Sequence, residues 1–416
     1  MERIVPNLER VRRDVTRLSE FVSSEEQGYT RISFSEEDRQ AREYLSRLMR
    51  DEAELSVRID AAGNLIGRRE GTMQKPAIMV GSHIDTVRGG GRLDGVSGVI
   101  AGIEVVRRLK EEGIDAIRPF EVVIFLAEEP SPFGISTIGS RAMAGRLTPD
   151  LLSSLRDDQG RTLGSAIDEM GGNSAGINEA RRSPEDTFVF LELHIEQGPL
   201  LFSQGIPVGV VTGIVGISRG KIEVIGRNDH AGTTPMRERK DALVAGSELV
   251  LAFEKVCASM DGVVGTIGRV EVSPNFPNVV PGKMTLGLEA RSLSEDLLNE
   301  ITFLFGKELD EIRERRGIRI HFEMGISSRP VIFRPDLTQR IKQVCERLGV
   351  ACAELPSGAG HDASHLAEIV PTGMIFVPSK DGRSHCPEEW TEFKDICLGI
   401  EVLASTITSL DEEEAS

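Results

Sequence analysis

The chain has 416 residues, 39% hydrophobic and 28% charged, with a formal net charge of −17. That length exceeds what one ordinary core holds, so two domains are expected, and the composition is that of a globular protein in water. The acidic balance argues against a nucleic-acid or anionic-membrane partner, which needs a basic surface, and no apolar run nears the roughly 20 residues of a membrane span.

The N-terminal stretch MERIVPNLERVRRDV interleaves charges with apolar residues and shows no secretory h-region. Five cysteines (257, 345, 352, 386, 397) are scattered, odd in number and without a CxxC pair, which fits free thiols and a cytoplasmic location. Residues 5–23 and 35–53 read as amphipathic helices, the second opened by Ser35 and Asp38 in a capping-box-like pair. LSVRID and LIGRRE read as a hairpin with its turn at Ala61 to Asn64.

Three apolar strands then end in polar, metal-type residues. The first, Ala77 to Val80, runs into GSHIDTVRGGGRLDGVSG (Gly81 to Gly98), which offers His83 and Asp94 before a helix that starts near Val96. The second, Phe120 to Leu126, stops at Ala127-Glu128-Glu129-Pro130. After short helical patterns around 149–155, 164–170 and 176–182, the third, Thr187 to Leu193, ends at His194-Ile195-Glu196-Gln197-Gly198-Pro199. Ligands gather at the carboxyl ends of strands in open α/β sheets, and imidazole and carboxylate are the donors that zinc-like ions accept.

Past Gly213 the pattern becomes β-α-β-β-α-β over about 115 residues, a ferredoxin-like order of four antiparallel strands and two helices. The helix 336–348, the segment GAGHDASH, the strand GMIFVPS and a helix from Pro387 to Leu410 then complete the first domain. The expected class is therefore α/β: residues 1–212 and 331–416 form a metal-binding domain, and 213–330 are inserted in it.

His83, Asp94, Glu129, His194 and His385 form the candidate metal set, suited to a two-metal hydrolytic site. Glu128 is the candidate general base, because adjacent side chains of an extended chain diverge and Glu128 and Glu129 can face different partners. Asp85 reads as a carboxylate that orients His83. His361 reads as near the site, His365 as structural, His321 as surface or packed, and Cys386 as a bystander.

The motifs GSHIDTV…GGRLDGVSGV, AEEPSPFG…GSRAMAG, HIEQGP, DHAGTTPM, PNVVPG, SGAGHDA and GMIFVPS…SHCPEEWT together resemble the hydantoinase/carbamoylase branch of the zinc aminoacylase and carboxypeptidase family. The resemblance spans nearly the whole chain. It implies a metal-dependent amidohydrolase acting on an N-carbamoyl (ureido) group of a small carboxylate, such as an N-carbamoyl-L-amino acid, allantoate or β-ureidopropionate. It also implies that His83, Asp94, Glu129, His194 and His385 hold two divalent ions, zinc or manganese with cobalt or nickel as substitutes, that Asp94 bridges them, and that Glu128 is the base. His230 matches a histidine that stabilises the oxyanion, Asn278 and Arg291 match substrate-binding positions, and Gln197 and the backbone around Gly358 and Ala359 are expected to contact substrate. The insertion is implied to be a lid and the surface of a homodimer. The chain departs from the pattern at Pro130 and Pro132, at Ile84 in IDTV, and at Asn228-Asp229 before His230. The rival expectations are an aminopeptidase or N-acyl-amino-acid deacylase with the same ions, and a non-enzymatic binding module, whose mark would be a lost ligand or base; none of the six positions is lost.

Overall fold

The computed structural model describes residues 3–23 and 27–412, and the chain divides into two compact units, 3–212 with 333–412 and 213–332. The first unit opens with helices α1 (Leu8–Leu18) and α2 (Glu36–Asp51). Helix α1 is shorter than the amphipathic pattern suggests. The Asn7 side chain caps it by accepting from Arg10 N (3.1 Å), and beyond its end the buried Arg31 guanidinium takes up the Leu18 and Phe21 carbonyls. At the start of α2 the Ser35 hydroxyl accepts from Asp38 N (3.2 Å) while the Asp38 carboxylate accepts from Phe34 N (2.9 Å), so the expected pair caps the helix reciprocally, one residue wider than a capping box.

A hairpin, β1 (Ser56–Ile59) and β2 (Leu65–Arg69), leads to β3 (Ala77–Ser82), α3 (Val96–Glu111) and β4 (Phe120–Ile124). Helices α4 (Ile138–Met143), α5 (Pro149–Ser154) and α6 (Leu163–Glu169) precede β5 (Thr187–Ile195), α7 (Leu200–Gln204) and β6 (Val208–Ile214). The neighbours β4-β3-β5 are parallel, as β-α-β crossovers require, and every residue of β3 and β4 is buried. The sheet order through this unit is β1-β2-β4-β3-β5, then the strand Thr372–Val377 and β6. The chain is thus a mixed α/β protein, as its sequence implied.

The second unit runs through β7 (Gly216–Ile225), β8 (Asp229–His230), α8 (Ala242–Ala258), β9 (Val263–Ser273), β10 (Val279–Val280), β11 (Lys283–Ser292), α9 (Glu295–Arg316), β12 (Arg319–Ser328) and β13 (Val331–Ile332). Its antiparallel sheet has the order β12-β7-β11-β9, the ferredoxin-like arrangement. Alternate residues Met284, Leu286, Leu288 and Ala290 of β11 bury one face against Leu249 and Phe253 of α8 and Leu298, Ile301 and Phe305 of α9. The unit's two ends pair with each other, Val331 with Ile214 and Ile332 with Gly213, so the chain leaves it beside the point of entry.

Helix α10 (Pro335–Leu348), β14 (Cys352–Ser357), α11 (Ala363–Leu366), β15 (Thr372–Val377) and α12 (Phe393–Glu412) return to the first unit. Helix α12 starts six residues later than Pro387, where its pattern seemed to begin. Residues 387–392 are instead tied to the chain after β15, through Lys380 N to the Trp390 carbonyl (2.8 Å) and Thr391 Oγ1 to the Pro378 carbonyl (2.8 Å).

The helices of the first unit meet at a buried ion pair. Arg107 of α3 is 2% exposed and donates to Asp14 of α1 (2.6 Å) and to Glu52 after α2 (2.8 Å). Replacing Arg107 by Ala takes one partner from the buried Asp14 carboxylate, which keeps Arg13 (2.7 Å) and Tyr44 (3.3 Å), so denaturant titration should show a loss of about 1–3 kcal/mol.

Candidate metal centre

Four chain segments of the first unit meet around the Asp94 carboxylate. Its Oδ1 lies 3.1 Å from His194 Nε2 and 3.8 Å from His83 Nε2. Its Oδ2 lies 3.1 Å from His385 Nε2, which is itself 3.3 Å from Glu129 Oε1. The expected ligands therefore form two groups, His83-Asp94-His194 and Asp94-Glu129-His385, each with donor atoms close enough for one ion and both sharing Asp94.

Local structure explains each placement. His83 leaves the end of β3, and His194 is the penultimate residue of β5. Their Nδ1 atoms each sit 2.9 Å from a carbonyl, of Asp85 and of Ile195 respectively. A carbonyl only accepts, so each Nδ1 carries the proton and each Nε2 presents its lone pair to the centre. Gly95 N–H also points at His194 Nε2, at 3.2 Å. Gly95 itself starts α3 at φ +64°, and a Cβ there would lie 2.5 Å from the His83 ring. The Asp85 carboxylate was expected to orient His83, but it stands 3.6 Å from Nδ1 and the Asp85 carbonyl makes the contact. That carboxylate instead accepts from the backbone of Glu128 (3.2 Å) and Glu129 (3.0 Å), and so holds the Glu-Glu turn against the His83 loop.

Glu128 Oε2 lies 3.7 Å from His83 Nε2, and Glu129 reaches His385, so the two adjacent carboxylates do take different partners. Burial pushes the Glu128 carboxyl well above the usual carboxylate range; His83 opposes this, and Glu129, Asp362 and Asp85 add to it. Burial alone would lower His83, but Glu128, Asp85 and Asp94 outweigh it and raise it. His385 is pushed up to about 10 by its contacts with Asp94 and Glu129. Buried acids that raise the affinity of their neighbours for protons form a pocket of negative charge, and two divalent cations suit both that charge and these N/O donors. His385 is the outermost of the group, its side chain 49% exposed.

Gln197 donates its amide to Asp94 Oδ2 (2.8 Å) and lies 3.4 Å from His385 Nε2. Gly358 and Ala359 follow β14, where Ser357 Oγ is 2.8 Å from His361 Nε2, and the His361 ring packs 4.5 Å from that of His194. His361 is thus beside the site. With Glu192 and His194 it makes a third donor group, but His194 Nε2 is already committed to Asp94. His365 contacts Thr137 Oγ1 at 2.9 Å. Pro130 and Pro132 both face solvent on a small turn that Thr137 N closes onto the Glu128 carbonyl (2.8 Å). Four further residues were not anticipated: Glu192, Asp362, Ser384 and Glu389, all beneath or beside the ligands. Glu389 and Asp362 lie inside quoted motifs, but nothing in a sequence marks which acid of a motif is buried.

The other expected residues belong to the second unit. His230 is exposed on β8 and pairs with Val279, and Ala231 N bonds the Asn278 carbonyl at 3.0 Å, so His230 and Asn278 are neighbours. Arg291 lies on the polar face of β11, its guanidinium 2.7 Å from Glu289, which Arg219 also holds at 2.7 Å. His321 is exposed on β12.

Residues 79–409 match the sequence profile of peptidase family M20/M25/M40. The chain belongs to that family. Within it the resemblance is to amidohydrolases: the chain is 40% identical over 405 residues to an N-carbamoyl-L-amino-acid amidohydrolase of Paenarthrobacter aurescens, covering 97% of this chain and 98% of that one. It is 36% identical over 396 residues to the allantoate amidohydrolase of Escherichia coli K12, covering 94% and 95%. A crystal structure of a hydantoinase/carbamoylase family amidase from Burkholderia multivorans superposes with a TM-score of 0.90 at 32% identity, over 98% of each chain.

Gly95→Ala should push the His83 ring out of its group. Metal titration of the folded variant is expected to show affinity about 10–100-fold weaker than wild type, the size of effect seen when a ligand loses its support.

Proposed function

We propose that this M20-family amidohydrolase cleaves the C–N bond of an N-carbamoyl group on a small carboxylate, releasing ammonia and carbon dioxide. The observation that carries the reading is the division of the Asp94 carboxylate between two donor groups, with Glu128 beside them. We assign His83, Asp94, Glu129, His194 and His385 as the ligands of two divalent ions, zinc or manganese, with cobalt or nickel able to replace them. When bound, such ions polarise a carbonyl and lower the pKa of water.

The chain's own residues do the rest. Glu128, ionised once cations neutralise its surroundings, takes the proton of the attacking water at its carboxylate and passes it to the leaving nitrogen. Asp85 keeps that carboxylate aimed by holding the backbone of both glutamates. Gln197, Gly358 and Ala359 orient the substrate. On the inserted unit, His230 is assigned to the oxyanion, Asn278 to substrate binding, and Arg291 to the substrate carboxylate, which its planar fork suits once it leaves Glu289.

We further propose a homodimer through the inserted unit. Leu251 on α8 (65% exposed) and Val264 and Val270 on β9 (64% and 52%) are apolar and exposed, and β9 is the sheet's edge strand. Five free cysteines support a cytoplasmic location. No described helix is long and apolar enough to cross a membrane.

Ammonia release should be assayed across N-carbamoyl-L-amino acids, allantoate and β-ureidopropionate, with added Mn²⁺ or Zn²⁺. At least one is expected to turn over, and Glu128→Gln should lower its kcat by about 100- to 10,000-fold. Turnover confined to dipeptides or N-acyl amino acids would contradict the reading. Chelation of the ions should abolish activity, and their return should restore it. Light scattering should give the mass of two chains; the mass of one would remove the dimer.

A further inference from the structure

Glu389 is a buried carboxylate that none of the roles above uses. It is 2% exposed, and each of its oxygens is engaged. Oε1 accepts from the backbone of Leu93 (2.9 Å) and of Asp94 (3.1 Å). Oε2 accepts from Ser384 Oγ (2.7 Å), and that hydroxyl also lies 3.4 Å from Asp94 Oδ2. One carboxylate thus joins the loop that carries Asp94 to the loop that carries His385, across nearly 300 residues of sequence. The fit leaves no spare space: a Cβ on Gly91 would lie 2.1 Å from Glu389 Cδ and Oε1.

We propose that Glu389 is a positioning residue for the dinuclear centre. It holds the backbone of Asp94 with one oxygen and the neighbour of His385 with the other. It thereby keeps Asp94 Oδ2 and His385 Nε2, now 3.1 Å apart, aimed at one ion position. The ion held by Asp94, Glu129 and His385 depends on it most, because His83 and His194 are anchored separately through the Asp85 and Ile195 carbonyls. Partners of this kind, one step removed from the metal, set ligand orientation and so affinity. The inference rests on the two-ion reading.

The test is metal titration of the chelator-stripped full chain with Zn²⁺ and Mn²⁺, by calorimetry and by metal content after dialysis, for wild type, Glu389→Ala, Glu389→Gln, Ser384→Ala and Gly91→Ala. Wild type is expected to bind two ions. Glu389→Ala should bind one of them about 10–100-fold more weakly and the other as before. Glu389→Gln keeps an acceptor for both N–H groups and should restore the affinity. Gly91→Ala, which displaces the carboxylate without removing it, should weaken the same ion, and it carries the test if Glu389→Ala does not fold. A role in stability alone predicts lower thermal stability of the metal-free variant with both affinities unchanged, and that result would overturn the proposal. So would a Glu389→Gln protein as impaired as Glu389→Ala. A wild-type chain that takes up a single ion would instead sink the two-ion reading, and this proposal with it; two ions bound equally well by wild type and Glu389→Ala would remove the Glu389 role alone.

Discussion

The site depends on one carboxylate facing two ways. Asp94 offers Oδ1 to the imidazoles of His83 and His194, and Oδ2 to His385 and, through it, Glu129. Any rotation of that group spoils both donor sets at once. The surrounding structure is accordingly stiff. The loop after β3 places Asp94 just ahead of a helix buried along most of its length, and Glu389 grips the loop's backbone.

Holding so many acids together costs free energy, and strained backbone at the site adds to that cost. Three site residues other than glycine, Ala127, Gln197 and His385, adopt positive φ of 54°, 57° and 56°. Such conformations cost on the order of 1–3 kcal/mol each and persist only where neighbours over-determine them. The neighbours are identifiable. Ile138 N bonds the Ala127 carbonyl at 3.0 Å, and Gln197 N bonds Ser379 Oγ at 3.0 Å. The chain turns at Ala127 after β4, and beyond the turn Glu128 lies toward His83 and Glu129 toward His385.

Much of this was legible in the sequence because metal-type donors at strand ends leave a two-part signature, an apolar run followed closely by a donor. His83, Glu129 and His194 each follow such a run, and the structure brings them around Asp94. His385 follows the last apolar strand in the same way, after a longer loop. The alternation in β11 likewise exposes which face of the inserted sheet is buried. What stayed hidden was tertiary. The periodicity after Pro387 continues that of α12, yet the Lys380–Trp390 backbone bond, the Thr391 hydroxyl and the Glu389 carboxylate hold residues 387–392 out of the helix. Asp85 looked like a partner of His83 because the two are only two residues apart, but its carboxylate turns to the Glu-Glu backbone, a choice made by segments more than 40 residues away. Arg291 matched a substrate-binding position, and its engagement by Glu289, two residues earlier on the same face of the strand, was not foreseen.

The most direct test of the shared carboxylate is an anomalous-scattering map from crystals grown with Zn²⁺ or Mn²⁺. Two peaks are expected, roughly 3.5–4 Å apart, with one Asp94 oxygen on each, as in other two-metal sites. A single peak, or two peaks of which Asp94 touches only one, would contradict it.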